Sequence, residues 1–517
     1  MIIGPEISPL HITLDRITVR LRDRWIFKGL SWEIRQGEHW AVMGANGAGK
    51  TTLVKAVAGL LPVVQGSICR HETDKGALGQ AISYVAGDAR RDLWKEEQDL
   101  ALARDFSGNG FAVTRVRDLF VEHFPPESGS PGCHPDTLAD TLADTLADAQ
   151  KPRPADIIRW CGIEPLLDRP VLSISSGEMS RVQIARELFC RPRLLILDEP
   201  FEGLDDGGRK DLIRLLNHLV RAGLSLVLVT HRREEIPPVI THLLVLGHEK
   251  IKWQGLIQKA PASLFFDVPA PFPETPVCQQ TPTCLSSPHG PLIEMQSVSV
   301  GYDGRKVIHD LTWSVFEGQH WVITGPNGAG KSTLLSLITG ECQQVYANRV
   351  RLLGHARGPN FPLEAVRNCM GVVNTRVITG YQKSVTVRDV VVSGLFDSVG
   401  LYVRPDADQM KTAERWIRQL NLEALENAVF THLSQGQRQM ALIARAMVKT
   451  PRILILDEPM TGLDAHNRAG IQTLLEDIAA SGNTAILLVS HHTQDIPRCI
   501  THHLVLDQGH VLYQGPI

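Results

Sequence analysis

Two segments of the chain carry the same chemistry-bearing pattern. Gly44-Ala45-Asn46-Gly47-Ala48-Gly49-Lys50-Thr51-Thr52 and Gly325-Pro326-Asn327-Gly328-Ala329-Gly330-Lys331-Ser332-Thr333 both read G-x-x-x-x-G-K-[ST]. Glycines at this spacing let successive backbone N–H groups turn inward around an anion, and a helix N-terminus adds its dipole. Lys50 and Lys331 would bring positive charge to β- and γ-phosphates, and the Thr51 and Ser332 hydroxyls would ligate Mg2+. Farther along, Leu194-Leu195-Ile196-Leu197 runs into Asp198-Glu199, and Ile453-Leu454-Ile455-Leu456 runs into Asp457-Glu458. A carboxylate pair closing an apolar strand is costly to bury unless a metal and a water compensate it. Asp198 and Asp457 are therefore the candidate metal carboxylates. Glu199 and Glu458 are the candidates for polarising an attacking water. His231 and His491 close the next apolar strands, 33 and 34 residues after those aspartates, within reach of a γ-phosphate.

These residues need a scaffold, and the order of the motifs supplies one. Everything found in the first half recurs in the second, so the chain is a duplication. Lys50 and Lys331 lie 281 residues apart and Glu199 and Glu458 lie 259 apart, so the second half is 22 residues shorter between these motifs. The excess contains a Thr-Leu-Ala-Asp repeat at 136–148, behind a Pro/Gly/Ser stretch. We read about 125–150 as a tolerated surface insertion. Each half opens with alternating strands (Ile12 to Val19, Leu292 to Val300), then runs strand, glycine loop and helix, and later returns to apolar strands. That alternation predicts an α/β fold whose parallel sheets are covered on both faces. The expected organisation is a first domain over 1–255, a Pro-rich linker over 256–291 and a second domain over 292–517.

Composition narrows the function classes. The chain has 517 residues, enough for about two to four domains. Its formal net charge of -3 excludes a globally basic nucleic-acid binder. Apolar runs such as Leu224 to Val229 are far shorter than the roughly 20 residues of a membrane span. The nine cysteines are irregularly spaced without a C-x-x-C, which predicts reduced thiols and no zinc site. Met1 to Arg20 carries no secretory pattern, and no further domain is expected after Ile517.

A third motif points to a family. Ile174-Ser175-Ser176-Gly177-Glu178 and Leu433-Ser434-Gln435-Gly436-Gln437 each precede an Asp-Glu strand by about 20 residues. Both resemble the LSGGQ signature of the ABC ATPases. Gly203-Leu204-Asp205 and Gly462-Leu463-Asp464 resemble that family's D-loop. The resemblance implies two P-loop domains, each a mainly parallel sheet with an antiparallel β subdomain and a helical signature subdomain. It further implies ATP and Mg2+ as ligands and head-to-tail pairing of the two domains. One site would then combine Lys50, Thr51, Asp198, Glu199 and His231 with Ser434, Gly436 and Gln437. The other would combine Lys331, Ser332, Asp457, Glu458 and His491 with Ser175, Gly177 and Glu178. Tyr302 stands where the family stacks an aromatic ring on adenine; Leu21 stands there in the first half, with Trp25 nearby as a substitute.

Within the family, the duplicated soluble format, the absence of a glutamine after the strand that follows each first helix, the second signature and the closing stretch Leu504 to Gly515 resemble the ModF-like, photorepair-type tandem ATPases associated with molybdate transport. That implies an ATPase component working with membrane permease subunits on the cytoplasmic face of the inner membrane. One departure keeps a second reading open. The glutamine that the family places after the strand following the first helix is missing from Ile82 to Asp88 and from Gly371 to Arg376. A soluble, non-transport ATPase, regulatory or associated with ribosomes or nucleic acid, is the alternative. The Pro-rich linker differs from the long charged helical linker of the ribosome-acting members.

Overall fold

A computed structural model of the chain describes residues 10–21, 24–71, 82–87, 93–94, 96–97, 100, 113–123, 153–247, 249–261, 264, 290–302, 305–356, 367–374, 381 and 384–517. It divides into two compact units, Met1–Asp267 and Val268–Ile517. The anticipated boundaries at 255 and 292 fall on either side of that division. The Thr-Leu-Ala-Asp repeat and most of the Pro-rich linker lie outside the described residues.

In the first unit, β1 (His11–Leu21), β2 (Arg24–Arg35) and β4 (Gln65–His71) form an antiparallel sheet ordered β2-β1-β4. A second sheet takes β3 (Trp40–Gly44), β5 (Ile82–Ala86), β6 (Leu194–Asp198), β7 (Ser225–Val229), β8 (His242–Leu246) and β9 (Ile251–Leu256) in the order β5-β6-β7-β3-β8-β9. All its neighbours are parallel except β8 and β9. The apolar runs in sequence are the central strands, which are buried on both faces. Leu195 and Leu197 point into a core shared with the helices Pro154–Cys161, Ser176–Phe189 and Asp206–Arg221. Leu194 and Ile196 point into a core shared with the antiparallel sheet and the helix Lys50–Val57.

The second unit repeats this plan. Its antiparallel sheet is ordered β11-β10-β13-β14, from β10 (Ile293–Tyr302), β11 (Arg305–Val315), β13 (Arg349–Leu352) and β14 (His355–Ala356). Its main sheet is ordered β15-β16-β17-β12-β18-β19, from β12 (Trp321–Thr324), β15 (Met370–Val373), β16 (Ile453–Asp457), β17 (Ala485–Val489), β18 (His502–Asp507) and β19 (His510–Pro516). The neighbour order matches the first sheet strand for strand. No described helix is long and apolar enough to cross a membrane. The described cysteines are free.

This topology gathers the motifs. Parallel strands share one C-terminal edge, where open α/β sheets place their ligands. The glycine loop follows β3, Asp198 ends β6, and His231 follows β7, the strand that separates them. The second unit does the same with β12, β16 and β17.

Candidate active sites

Each glycine loop joins a buried strand to a helix that begins at the lysine, Lys50–Val57 and Lys331–Thr339. The loop geometry demands glycine at its first position. Gly44 has φ 148° and Gly325 φ 148°, and a Cβ there would lie 2.5 Å from the Leu246 carbonyl oxygen and 2.1 Å from that of Leu506. Both lysines are buried at 8% exposure. The Lys50 ammonium donates to the Gly44 carbonyl at 2.9 Å, and that of Lys331 donates to Gly325 at 2.6 Å and Pro326 at 2.9 Å. The positive charge thus sits against the loop itself. Asn46, Gly47, Thr51 and Thr52 lie on the first loop and helix start; Asn327, Gly328, Gly330, Ser332 and Thr333 lie on the second.

The acidic strand ends are built alike. Glu199 and Glu458 both adopt left-handed backbone, φ 51° and 50°, which is uncommon for a non-glycine residue. Their amides donate to Val229 and Val489 at 3.0 Å, which ties each turn to the adjacent strand. The turn aims each carboxylate at the histidine. His231 Nδ1 lies 2.8 Å from Glu199 Oε2, and His491 Nδ1 lies 2.9 Å from Glu458 Oε1. With a carboxylate facing Nδ1, that nitrogen carries the proton. Nε2 of both histidines is buried without a hydrogen-bond partner among the described residues. Burial pushes the Glu458 carboxyl up, but the His491 hydrogen bond and charge, with Lys331 and Thr461, hold it below the ordinary range.

The candidate metal carboxylates differ in their surroundings. Burial pushes Asp198 up, and hydrogen bonds from Thr51 and Tyr84 oppose the shift. The Tyr84 hydroxyl donates to Asp198 Oδ2 at 2.9 Å. Among the described residues, Asp198 Oδ1 is buried with no hydrogen-bond partner. Asp457 is raised to about 6 by burial and then by Glu458, opposed by Lys331 and His491. A buried carboxylate oxygen without a donor, beside a hydroxyl and a lysine, fits a divalent cation held by one carboxylate and the phosphates of a bound substrate.

The signature residues cap helices. Ser175 and Ser434 are the N-caps of Ser176–Phe189 and Gln435–Met447. Ser175 Oγ accepts from the Glu178 amide at 3.2 Å, while Glu178 accepts from the Ser175 amide at 2.7 Å. Ser434 and Gln437 reproduce this at 3.3 and 3.0 Å. Glu178 and Gln437 thus turn back onto their own serines in capping boxes. The neighbouring signature residues are engaged as well: the Ser176 hydroxyl donates to the Gly203 carbonyl at 2.9 Å, and the Gln435 amide donates to the Thr461 carbonyl at 2.9 Å. Each ties a signature to the D-loop of its own unit. A Cβ on Gly177 would make only ordinary contact, with Leu204 Cδ2 at 3.6 Å, whereas a Cβ on Gly436 would lie 2.4 Å from the Asn467 side chain.

Tyr302 is half exposed at the tip of the β10–β11 hairpin, with its hydroxyl 3.5 Å from Cys342 Sγ. Leu21 pairs across the β1–β2 hairpin next to Arg20 and Trp25, and the Arg20 guanidinium lies 5.4 Å from the Trp25 ring centre. Tyr84 and Asn467 had no motif to announce them. Tyr84 is 114 residues from its partner, and only the β5–β6 pairing brings the two together.

The ABC transporter family model matches residues 27–202 and 308–461, once in each unit. The chain is 35% identical over 501 residues to the ABC transporter ATP-binding protein ModF of Escherichia coli, covering 94% of this chain and 95% of that protein. It is 25% identical to an uncharacterized ABC transporter ATP-binding protein of Schizosaccharomyces pombe, with the same coverage of both. It is 26% identical to the xylose import ATP-binding protein XylG of Pseudomonas savastanoi, over 93% of this chain and 89% of that protein. Two glycine loops, two Asp-Glu strand ends and two family matches in one chain make this protein a tandem ATPase of the ABC transporter family.

Proposed function

We propose that both units hydrolyse ATP, and that the chain is the ATPase component of a molybdate-related ABC transport system. The observation that carries the first part is the repeated Glu–His pair, at 2.8 and 2.9 Å, beside a buried lysine and a strand-end aspartate in each unit, Asp198 buried and Asp457 partly buried. Lys50 and the amides around Gly44, Asn46, Gly47 and Gly49 hold the phosphates at one site. Lys331 and the amides around Gly325, Asn327, Gly328 and Gly330 hold them at the other, and Thr52 and Thr333 open the helices behind. Glu199 and Glu458 orient the water, and the histidine at Nδ1 fixes the carboxylate that does so. Thr51 with Asp198, and Ser332 with Asp457, would hold Mg2+, and the chemistry the ion would supply there is neutralisation of charge on the phosphates. Head-to-tail pairing of the units adds Ser434, Gly436 and Gln437 to the first site and Ser175, Gly177 and Glu178 to the second. Tyr302 stacks on adenine in the second site. The serine and glycine at each signature supply donors; Glu178 and Gln437 act by holding the serine.

Resemblance to the ModF-like tandem ATPases, supported by 35% identity over 94% of the chain, favours coupling to permease subunits at the cytoplasmic membrane face. One observation favours a soluble, uncoupled ATPase instead. Gly87 directly follows β5, and a Cβ there would lie 2.9 Å from the Asp198 carbonyl oxygen, so the place of the coupling glutamine admits no side chain in this arrangement. The test is to isolate a Glu199→Gln, Glu458→Gln chain from its native cells with ATP and Mg2+. Integral membrane subunits of an oxyanion system support transport. Recovery of ribosomes, nucleic acid or the chain alone contradicts it.

A further inference from the structure

Tyr84 lies on the edge strand β5, paired through Ile196 of β6, two residues before Asp198. Its hydroxyl reaches along the sheet to donate to Asp198 Oδ2 at 2.9 Å. Its ring is held from the other side, because the Lys55 ammonium, on the helix that follows the glycine loop, lies 5.9 Å from the ring centre. The phenol is therefore fixed between the phosphate-loop helix and the acidic strand. One carboxylate oxygen of Asp198 is occupied by this bond. The other, Oδ1, is buried and carries no hydrogen bond among the described residues. A bond to one oxygen fixes the carboxylate's rotation and leaves the second oxygen as the donor to a cation. In the second unit the residue at the same register is Val372, which pairs with Ile455, two residues before Asp457. Valine has no hydroxyl to offer, and its side chain packs against the apolar core.

We infer that Tyr84 is a positioning residue for the metal carboxylate of the first site alone, and that it makes the two sites bind their divalent cation unequally. The inference rests on the reading that Asp198 and Asp457 hold Mg2+. Tyr84 touches neither nucleotide nor metal; it acts through Asp198 by fixing which oxygen faces the cation. Outer-shell hydrogen bonds of this kind are worth about 10- to 100-fold in metal affinity. The first site therefore fills at lower Mg2+ than the second.

The test uses the full chain with Mn2+ as the probe, since carboxylate and phosphate oxygens take Mn2+ in place of Mg2+. Binding is followed by electron paramagnetic resonance with a saturating non-hydrolysable ATP analogue. In an Asp457→Asn chain only the first site reports. Adding Tyr84→Phe weakens Mn2+ binding by about tenfold or more, while binding of the analogue in EDTA, governed by the loop amides and Lys50, stays unchanged. A general packing role would move both. Unchanged Mn2+ affinity in the Tyr84→Phe chain, when Asp198→Asn in that background abolishes binding, overturns the inference and leaves the metal reading standing. If the Asp457→Asn chain binds no Mn2+ with the analogue, both the metal reading and the inference fall.

Discussion

In the first unit the candidate metal carboxylate, Asp198, accepts from Tyr84, and the signature glycine meets Leu204 and Gly208 at ordinary contact distance. In the second unit Val372 stands at the matching register, burial and then Glu458 raise the Asp457 carboxyl to about 6, and the signature glycine lies against the Asn467 side chain. Yet the lysine, glutamate and histidine of each site keep the same partners at nearly the same distances. The groups that would touch phosphate and water are held constant between the halves, and the groups one layer behind them vary. Duplication has kept the chemistry and left its supporting contacts free to diverge. The two units thus share the geometry of lysine, glutamate and histidine and differ in the contacts behind the aspartate and the signature glycine.

The largest effect should come from the shared part. Lys50→Ala and Lys331→Ala should each cut steady-state ATP turnover by about a hundredfold or more, because removing either ammonium leaves transferring phosphoryl charge uncompensated. A normal rate in either variant would break the equivalence of the halves.

Next come effects confined to one half. Gly436→Ala forces the Asn467 side chain away from Asp464, whose Oδ1 accepts from both the Asn467 amide and side chain at 2.9 and 2.8 Å. That should cost about 1–3 kcal/mol of stability. Gly177→Ala, whose nearest atom is Leu204 Cδ2 at 3.6 Å, should cost well under 1 kcal/mol by the same measure. Denaturant melts of the two variants would reveal the difference.

Asp457 gives a pH test. Its folded pKa is raised to about 6 from an ordinary 3.8, so the ionised form is disfavoured in the fold. The stabilisation from the protonated carboxyl is fully present below the unfolded pKa and is lost as pH rises through about 6. Asp457→Asn should therefore raise the metal-free melting temperature at pH 7.5, by an amount reflecting roughly 1–3 kcal/mol, and much less at pH 4. An equal rise at both pH values would place the cause outside this carboxyl. The smallest effect belongs to the Thr-Leu-Ala-Asp repeat: deleting 136–147 should leave ATP turnover within about twofold, as its sequence reading as a tolerated insertion predicts.

The parts that vary are also the parts that sequence conceals. The glycine loops, Asp-Glu ends and signatures were legible because each is a short run whose chemistry depends on neighbours in sequence. The sheet was legible because Leu194 to Leu197 and Ala485–Val489 are apolar throughout, as central parallel strands must be. Tyr84–Asp198 was not, because it depends on which strand lies beside β6, and the chain wanders through 107 residues between β5 and β6. Gly436 against Asn467 was hidden likewise, since it joins two helix starts that only packing brings together. Glu178 and Gln437 looked like groups facing a ligand, but the capping-box geometry of S-x-x-E and S-x-x-Q turns them toward their own helix starts.

The claim that both units are working ATPase sites is tested most directly by counting trapped nucleotide. A Glu199→Gln, Glu458→Gln chain, given ATP and Mg2+ and then freed of unbound nucleotide, should retain two ATP per chain with turnover stalled. Retention of one ATP, or continued rapid release of phosphate, would contradict it.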